Sequence, residues 1–210
     1  MTNDSKFWDK IADKYSRLPV TDRAAYERKL EITRAYMTPE MEVLEIGCGT
    51  GSTAIYHAPA VKHIRATDIS GAMLDIAKGK AKAAGVTNVS FEVAAIDDLA
   101  LAGSSVDMVM AHSILHLVAD CDTVIGKIAR ALKPGGVFVS STFCLGEKPL
   151  MRAFLAVAAP IGRMLGKFPL VVHALSEKQL TAKIAAAGFA VEEQWRPGNG
   201  SVVFVVARKA

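Results

Sequence analysis

The chain has 210 residues, 51% hydrophobic and 22% charged, a length and balance that suit one folded domain with one core and exclude a disordered chain. Its 25 Lys and Arg are scattered among 21 Asp and Glu, leaving a formal charge of +4; with no basic block, no nucleic-acid partner is expected. Cysteines at 48, 121 and 144 are odd in number and share no metal-ligand spacing, which argues for reduced thiols, and the polar start of the chain carries no secretory pattern, so a cytoplasmic location is expected.

Between residues 7 and 37, Phe7, Trp8, Ile11, Ala12 and Tyr15, then Tyr26, Leu30, Ile32, Thr33 and Met37, follow helical spacing and predict two helices broken near Pro19. Residues 41–46 read as a buried strand that runs into Gly47-Cys48-Gly49-Thr50-Gly51, after which Ala54, Ile55 and Ala58 resume a helical pattern. The alternation repeats. Strand 63–67 precedes helix 71–84, strands 89–93 and 106–110 follow, and helix 122–132 is stopped by Lys133-Pro134-Gly135-Gly136 before strand 137–143. Ser176 opens a last helix with Glu177 in its first turn, and Gly188 ends it. Strands 189–195 and 202–207 are joined by a short loop, which implies an antiparallel hairpin.

The fold expected is α/β: a Rossmann-like, doubly wound sheet of seven strands, mostly parallel with an antiparallel C-terminal hairpin, in a single domain over 1–210. The most apolar stretch, 150–175, is interrupted by Arg152, Pro160, Arg163, Lys167 and Pro169 and does not span a bilayer. It reads as a packed cover, with peripheral contact to a membrane left open.

The sharpest segment is Val43-Leu44-Glu45-Ile46-Gly47-Cys48-Gly49-Thr50-Gly51, where glycines let the backbone turn out of a strand and approach a ligand without Cβ obstruction. Asp68 follows the next strand, which sets a carboxylate beside that loop at the carboxyl edge of the sheet, suited to a ribose diol. A dinucleotide fingerprint, G-x-G-x-x-G, has a comparable acid. Here, however, Ser52 stands where its third glycine would fall, and Glu45 would repel a pyrophosphate. A carboxylate at that point better suits a ligand with an ammonium group.

These residues, with Phe7-Trp8-Asp9-Lys10-Ile11-Ala12-Asp13-Lys14-Tyr15 and Leu132-Lys133-Pro134-Gly135-Gly136, resemble the class I methyltransferases, in particular the ubiquinone/menaquinone-biosynthesis-like branch called type 11. The resemblance covers nearly the whole chain and implies S-adenosylmethionine as cofactor. It implies that Glu45, Gly47, Gly49 and Gly51, with Cys48 and Thr50 in the same loop, surround the methionine and ribose portions, that Asp68 holds the ribose hydroxyls, and that Ile69 and Met73 flank the adenine. Ala111, His112 and Ser113 would lie beside the methionine moiety and the entrance for the acceptor. Tyr15 would close over the cofactor, making residues 1–38 a helical lid and residues 145–175 a substrate-covering insertion. One position departs from the family pattern: where an acid commonly receives the adenine amino group stands Ala95, with Ile96 left to pack on the ring and Asp97 the nearest substitute acid.

His112 and His116, four apart, are the candidates for a general base; a bland alternative is a hydrogen-bonded histidine at a strand end. No third ligand sits at diagnostic spacing, so no metal is expected. Methyl transfer is an in-line displacement that needs alignment more than catalytic side chains, so the sequence points to the cofactor more sharply than to the acceptor. The acceptor expected is a small hydrophobic or aromatic molecule, a quinone precursor or lipid-like; residues 159–165 resemble a stretch of quinone-biosynthesis methyltransferases. The competing readings are a nicotinamide-dependent reductase and a module that binds S-adenosylmethionine without turnover. The sequence is silent on oligomeric state.

Overall fold

A computed structural model describes residues 3–146, 172–197 and 200–210, together with Phe154 and Gly162. The chain opens with two helices, α1 (Asn3–Ser16) and α2 (Arg23–Ala35). The break between them contains Pro19, and α2 starts where the Asp22 side chain accepts from the Ala25 N–H. There follow β1 (Glu42–Ile46), α3 (Ser52–His57), a short 3-10 turn (Ala58–Ala60), β2 (His63–Asp68), α4 (Gly71–Ala83), β3 (Val89–Val93), β4 (Val106–His112), α5 (Cys121–Ala131) and β5 (Leu132–Phe143). The described chain ends with α6 (Glu177–Ala186), β6 (Phe189–Trp195) and β7 (Val202–Lys209). α4, α5 and α6 are each started by a side chain: Ser70 accepts from the Met73 N–H, Asp120 from Asp122 and Thr123, and Ser176 forms a reciprocal capping box with Gln179.

The seven strands form one sheet in the order β3-β2-β1-β4-β5-β7-β6. The first five pair in parallel, and β7 inserts antiparallel between β5 and β6. Alternation along the strands builds a core on each face. Leu44, Ile46, Val109, Ala111 and Phe138 pack under α5 and α6 on one side, whereas Val43, Met108, Met110, Val139 and Phe204 fill the other. Between β1 and β4 the chain direction of winding reverses, so the loops leaving these two strands diverge and open a crevice at the carboxyl edge.

One local expectation is revised. Lys133-Pro134-Gly135-Gly136 does not separate helix from strand: Leu132 already pairs with Val106, and the register then jumps to Met108 opposite Val137. Residues 133–136 therefore bulge from within β5. Pro134 has no N–H to give the ladder, and Gly135 takes the left-handed conformation (φ 73°) that the bulge requires. Most of the expected covering insertion, 147–153, 155–161 and 163–171, lies outside the described residues. Among those described, no helix is long and apolar enough to cross a membrane.

Candidate active site

The crevice holds a cavity of about 360 Å³, within the range of small-molecule sites. Its floor is the turn out of β1. Gly47, Gly49 and Gly51 all have positive φ, 64°, 53° and 71°, and two of them also have no room for a side chain. A Cβ on Gly47 would lie 2.8 Å from Ile114 Cγ1, and one on Gly51 2.7 Å from Ala77 Cβ. Gly49 instead faces the opening, with Tyr15 on its far side.

Asp68, at the end of β2, ties this turn to the next helix. One carboxylate oxygen accepts from the Gly49 N–H at 2.8 Å and the other from the Ser70 N–H at 2.9 Å. Burial pushes its pKa up, these backbone donors oppose the shift, and the nearby Asp9 adds to it. Asp9 in turn docks α1: its carboxylate accepts from Ser70 Oγ at 2.7 Å and from the Ala72 N–H at 3.1 Å at the start of α4. That contact brings Asp4, Trp8 and Tyr15, which share one face of α1, to the cavity wall. Trp8 and Tyr15 meet edge to face, 6.4 Å between ring centres. Burial, then the Asp68 charge, raises the Tyr15 pKa.

The opposite end is apolar. Ile69 and Met73 follow Asp68, and the turn Ala94-Ala95-Ile96-Asp97 after β3 closes the slot. Lys127 on α5 clamps that turn, its ammonium donating to the Ile96 and Asp97 carbonyls at 2.7 and 2.9 Å. Lys127→Met should therefore loosen the turn and raise the dissociation constant for S-adenosylhomocysteine about fivefold, the loss of roughly one net hydrogen bond, with the melting temperature lowered only slightly; unchanged affinity in calorimetry would show that the turn takes no part in binding.

His112, the last residue of β4, faces the cavity with Ser113 and Ile114. Burial, then the positive charge of Lys29, pushes its pKa down to about 3. Ser113 adopts a left-handed conformation (φ 56°) and its N–H donates to the Ser141 carbonyl at 2.6 Å, turning the chain out of the strand toward Leu117, Val118 and Ala119 on the rim. His173 steadies this rim: its N–H donates to the His116 carbonyl, and its ring Nε2 lies 2.8 Å from the Val118 carbonyl.

Of the residues singled out in the sequence, Tyr15, Gly47, Gly49, Asp68, Ile69, Met73, Ala95, Ile96, Asp97, His112 and Ser113 meet around the cavity. Glu45, Cys48, Thr50, Gly51, Ala111 and His116 do not reach its wall. Glu45 alternates with Leu44 and Ile46 and so points to the other sheet face, 2% exposed, accepting from the Ala54 N–H while its Oε2 has no partner. Cys48 is a buried thiol whose pKa burial drives upward. Thr50 Oγ1 receives the Lys80 ammonium at 2.8 Å, and Gly51 is occupied with the packing just described. Ala111 is core. His116 stacks edge to face on Phe143, 5.1 Å between centres, its pKa pushed down to about 4 by burial. His112 and His116 thus share no face, and among the described residues no group of three metal-ligating side chains gathers. The sequence reading missed Asp4, Trp8, Ile46, Ala94, Ile114, Leu117, Val118 and Ala119; for Asp4 and Trp8 the available signal was their helical register with Tyr15.

A family model described as a methyltransferase domain matches residues 37–193. The chain is similar to YcgJ of Bacillus subtilis (strain 168), named an uncharacterized methyltransferase, with 29% identity over 155 residues, 74% of this chain and 60% of that protein. The YcgJ crystal structure superposes with a TM-score of 0.71 at 18% identity, covering 87% of this chain and 98% of that one. The chain is also similar to the tRNA 5-carboxymethoxyuridine methyltransferase of Escherichia coli (strain K12), 34% identical over 139 residues, 62% of this chain and 53% of that protein. A third relative is the ubiquinone/menaquinone biosynthesis C-methyltransferase UbiE of Geotalea daltonii, 27% identical over 178 residues, 77% of this chain and 76% of that protein. The chain spans 60% and 53% of the length of the first two of these curated relatives.

Proposed function

Because the chain belongs to the methyltransferase-domain family, whose class I members use S-adenosylmethionine, we propose that it transfers the methyl group of that cofactor to a small, apolar acceptor entering beside His112. The observation that carries the reading is the pairing, in one cavity, of Asp68 behind a glycine turn with an apolar slot of Ile69, Met73 and Ile96. This donor set fits the cofactor: a carboxylate for the ribose hydroxyls, flat apolar walls for the adenine, and at Gly47 a backbone with no Cβ to obstruct the methionine portion.

The cofactor supplies an electrophilic methyl group on a sulfonium. The chain's own part is to align and to exclude water. Tyr15 and Trp8, held down through Asp9, cover the site from α1. His112 stays neutral at physiological pH, so its ring can orient the acceptor by a hydrogen bond without repelling the sulfonium, but as a weak proton acceptor it suits an acceptor that needs no strong base.

The lining is predominantly apolar, which favours a small molecule such as a quinone precursor over a polynucleotide, in line with UbiE among the relatives; the tRNA methyltransferase is the relative that argues the other way. Calorimetric titration with S-adenosylmethionine, S-adenosylhomocysteine and NADH tests the cofactor. Micromolar binding of the first two alone is expected; binding of NADH alone would overturn the reading in favour of a reductase.

A further inference from the structure

α2 lies outside the segment matched by the family model, and one of its side chains, Lys29, does not line the cavity but bears by its charge on His112 of the cavity wall. Lys29 is half-buried and turned inward onto the sheet, where its ammonium donates to Ser141 Oγ at 3.3 Å. Ser141 on β5 is the direct neighbour of His112 on β4. Among the described residues Lys29 makes no ion pair; the acid that bears on it, Asp22, caps the exposed start of α2. The group that it bears on across the sheet adds no negative charge: His112 is held neutral by burial. A desolvated ammonium near a neutral imidazole is expensive unless something anionic completes it. On the same face of β5, Phe143 lies two residues beyond Ser141, exposed and apolar.

We infer that Lys29 determines specificity for the acceptor: its ammonium, backed by Ser141 and next to His112, receives an anionic oxygen on an otherwise apolar acceptor, a carboxylate or a phenolate. An acceptor of this class arrives already deprotonated, which accords with a site whose histidine is a poor base. The inference rests on the methyltransferase reading, and the test separates the two.

Protein saturated with S-adenosylhomocysteine is titrated with benzoate and with its neutral isostere benzamide, and in parallel with 4-nitrophenolate to distinguish the two sources of anionic oxygen. The wild type should bind at least one anion about tenfold more tightly than benzamide, the yield of one charge-assisted contact. Lys29→Met should erase that preference while leaving affinity for S-adenosylhomocysteine within about twofold, and Lys29→Arg should keep it. No anion binding or no preference in the wild type, or a preference that survives in Lys29→Met, overturns the inference while the cofactor reading stands. Failure of S-adenosylhomocysteine to bind the wild type overturns the reading and this inference with it.

Discussion

Asp68→Ala is expected to weaken binding of S-adenosylmethionine and S-adenosylhomocysteine roughly 5- to 150-fold, the loss of about 1 to 3 kcal/mol of charge-assisted hydrogen bonding. Two effects combine. The carboxylate stands at the end of β2 beside the glycine turn, suited to a ribose diol, and it also holds the Gly49 and Ser70 N–H groups, so its removal both deletes a ligand contact and releases the glycine turn. Asp68→Asn separates them: the amide oxygen can keep one backbone donor, but the amide cannot accept from two hydroxyls with full charge, so most of the affinity loss should persist while thermal stability recovers toward wild type. Calorimetry and a melting curve on both variants check this; full affinity in folded Asp68→Ala would refute the ribose assignment.

What the sequence disclosed about this site was its local part. Gly47, Gly49 and Asp68 could be found because a strand, a turn and a strand-end acid lie within 27 residues, Glu42 to Asp68, and short apolar runs with glycine between them carry their own geometry. The walls supplied from a distance could not be read in this way. Trp8 and Asp4 reach the cavity through the contact of Asp9 with Ser70, 61 positions apart, and nothing in the helical spacing of α1 says which helix it docks against. The bulge in β5 was hidden for the same reason: Pro134 and Gly135 signal a break, and only the pairing of Leu132 with Val106 turns the break into an interruption inside one strand. Glu45 is the instructive case. Chemistry suggested an ammonium partner in the site, yet the period of two along β1, with Leu44 and Ile46 in the core under α5, already required Glu45 to face the other way.

That orientation makes Glu45 a strong source of pH dependence in the free protein. Burial, helped by the negative charge of Asp68 and opposed by the Ala54 N–H, lifts its pKa from 4.5 to about 8. The unfolded chain releases this proton near pH 4.5 while the folded protein keeps it to about 8, so stability falls as pH rises through that window and levels off above it. At 1.36 kcal/mol per unit of pKa the whole shift is worth about 5 kcal/mol. The histidines act in the opposite direction: His112, lowered to about 3, and His57 and His116, each lowered to about 4, cost stability as pH falls below 6.5. Glu45→Gln isolates the acid, because the amide oxygen can still accept from Ala54 but no longer titrates. Urea unfolding of both proteins at pH 5, 6.5, 8 and 9 should show the variant gaining on the wild type up to pH 8 and then running parallel to it. Curves that stay parallel from pH 5 upward would mean that Glu45 is ionised in the folded protein throughout.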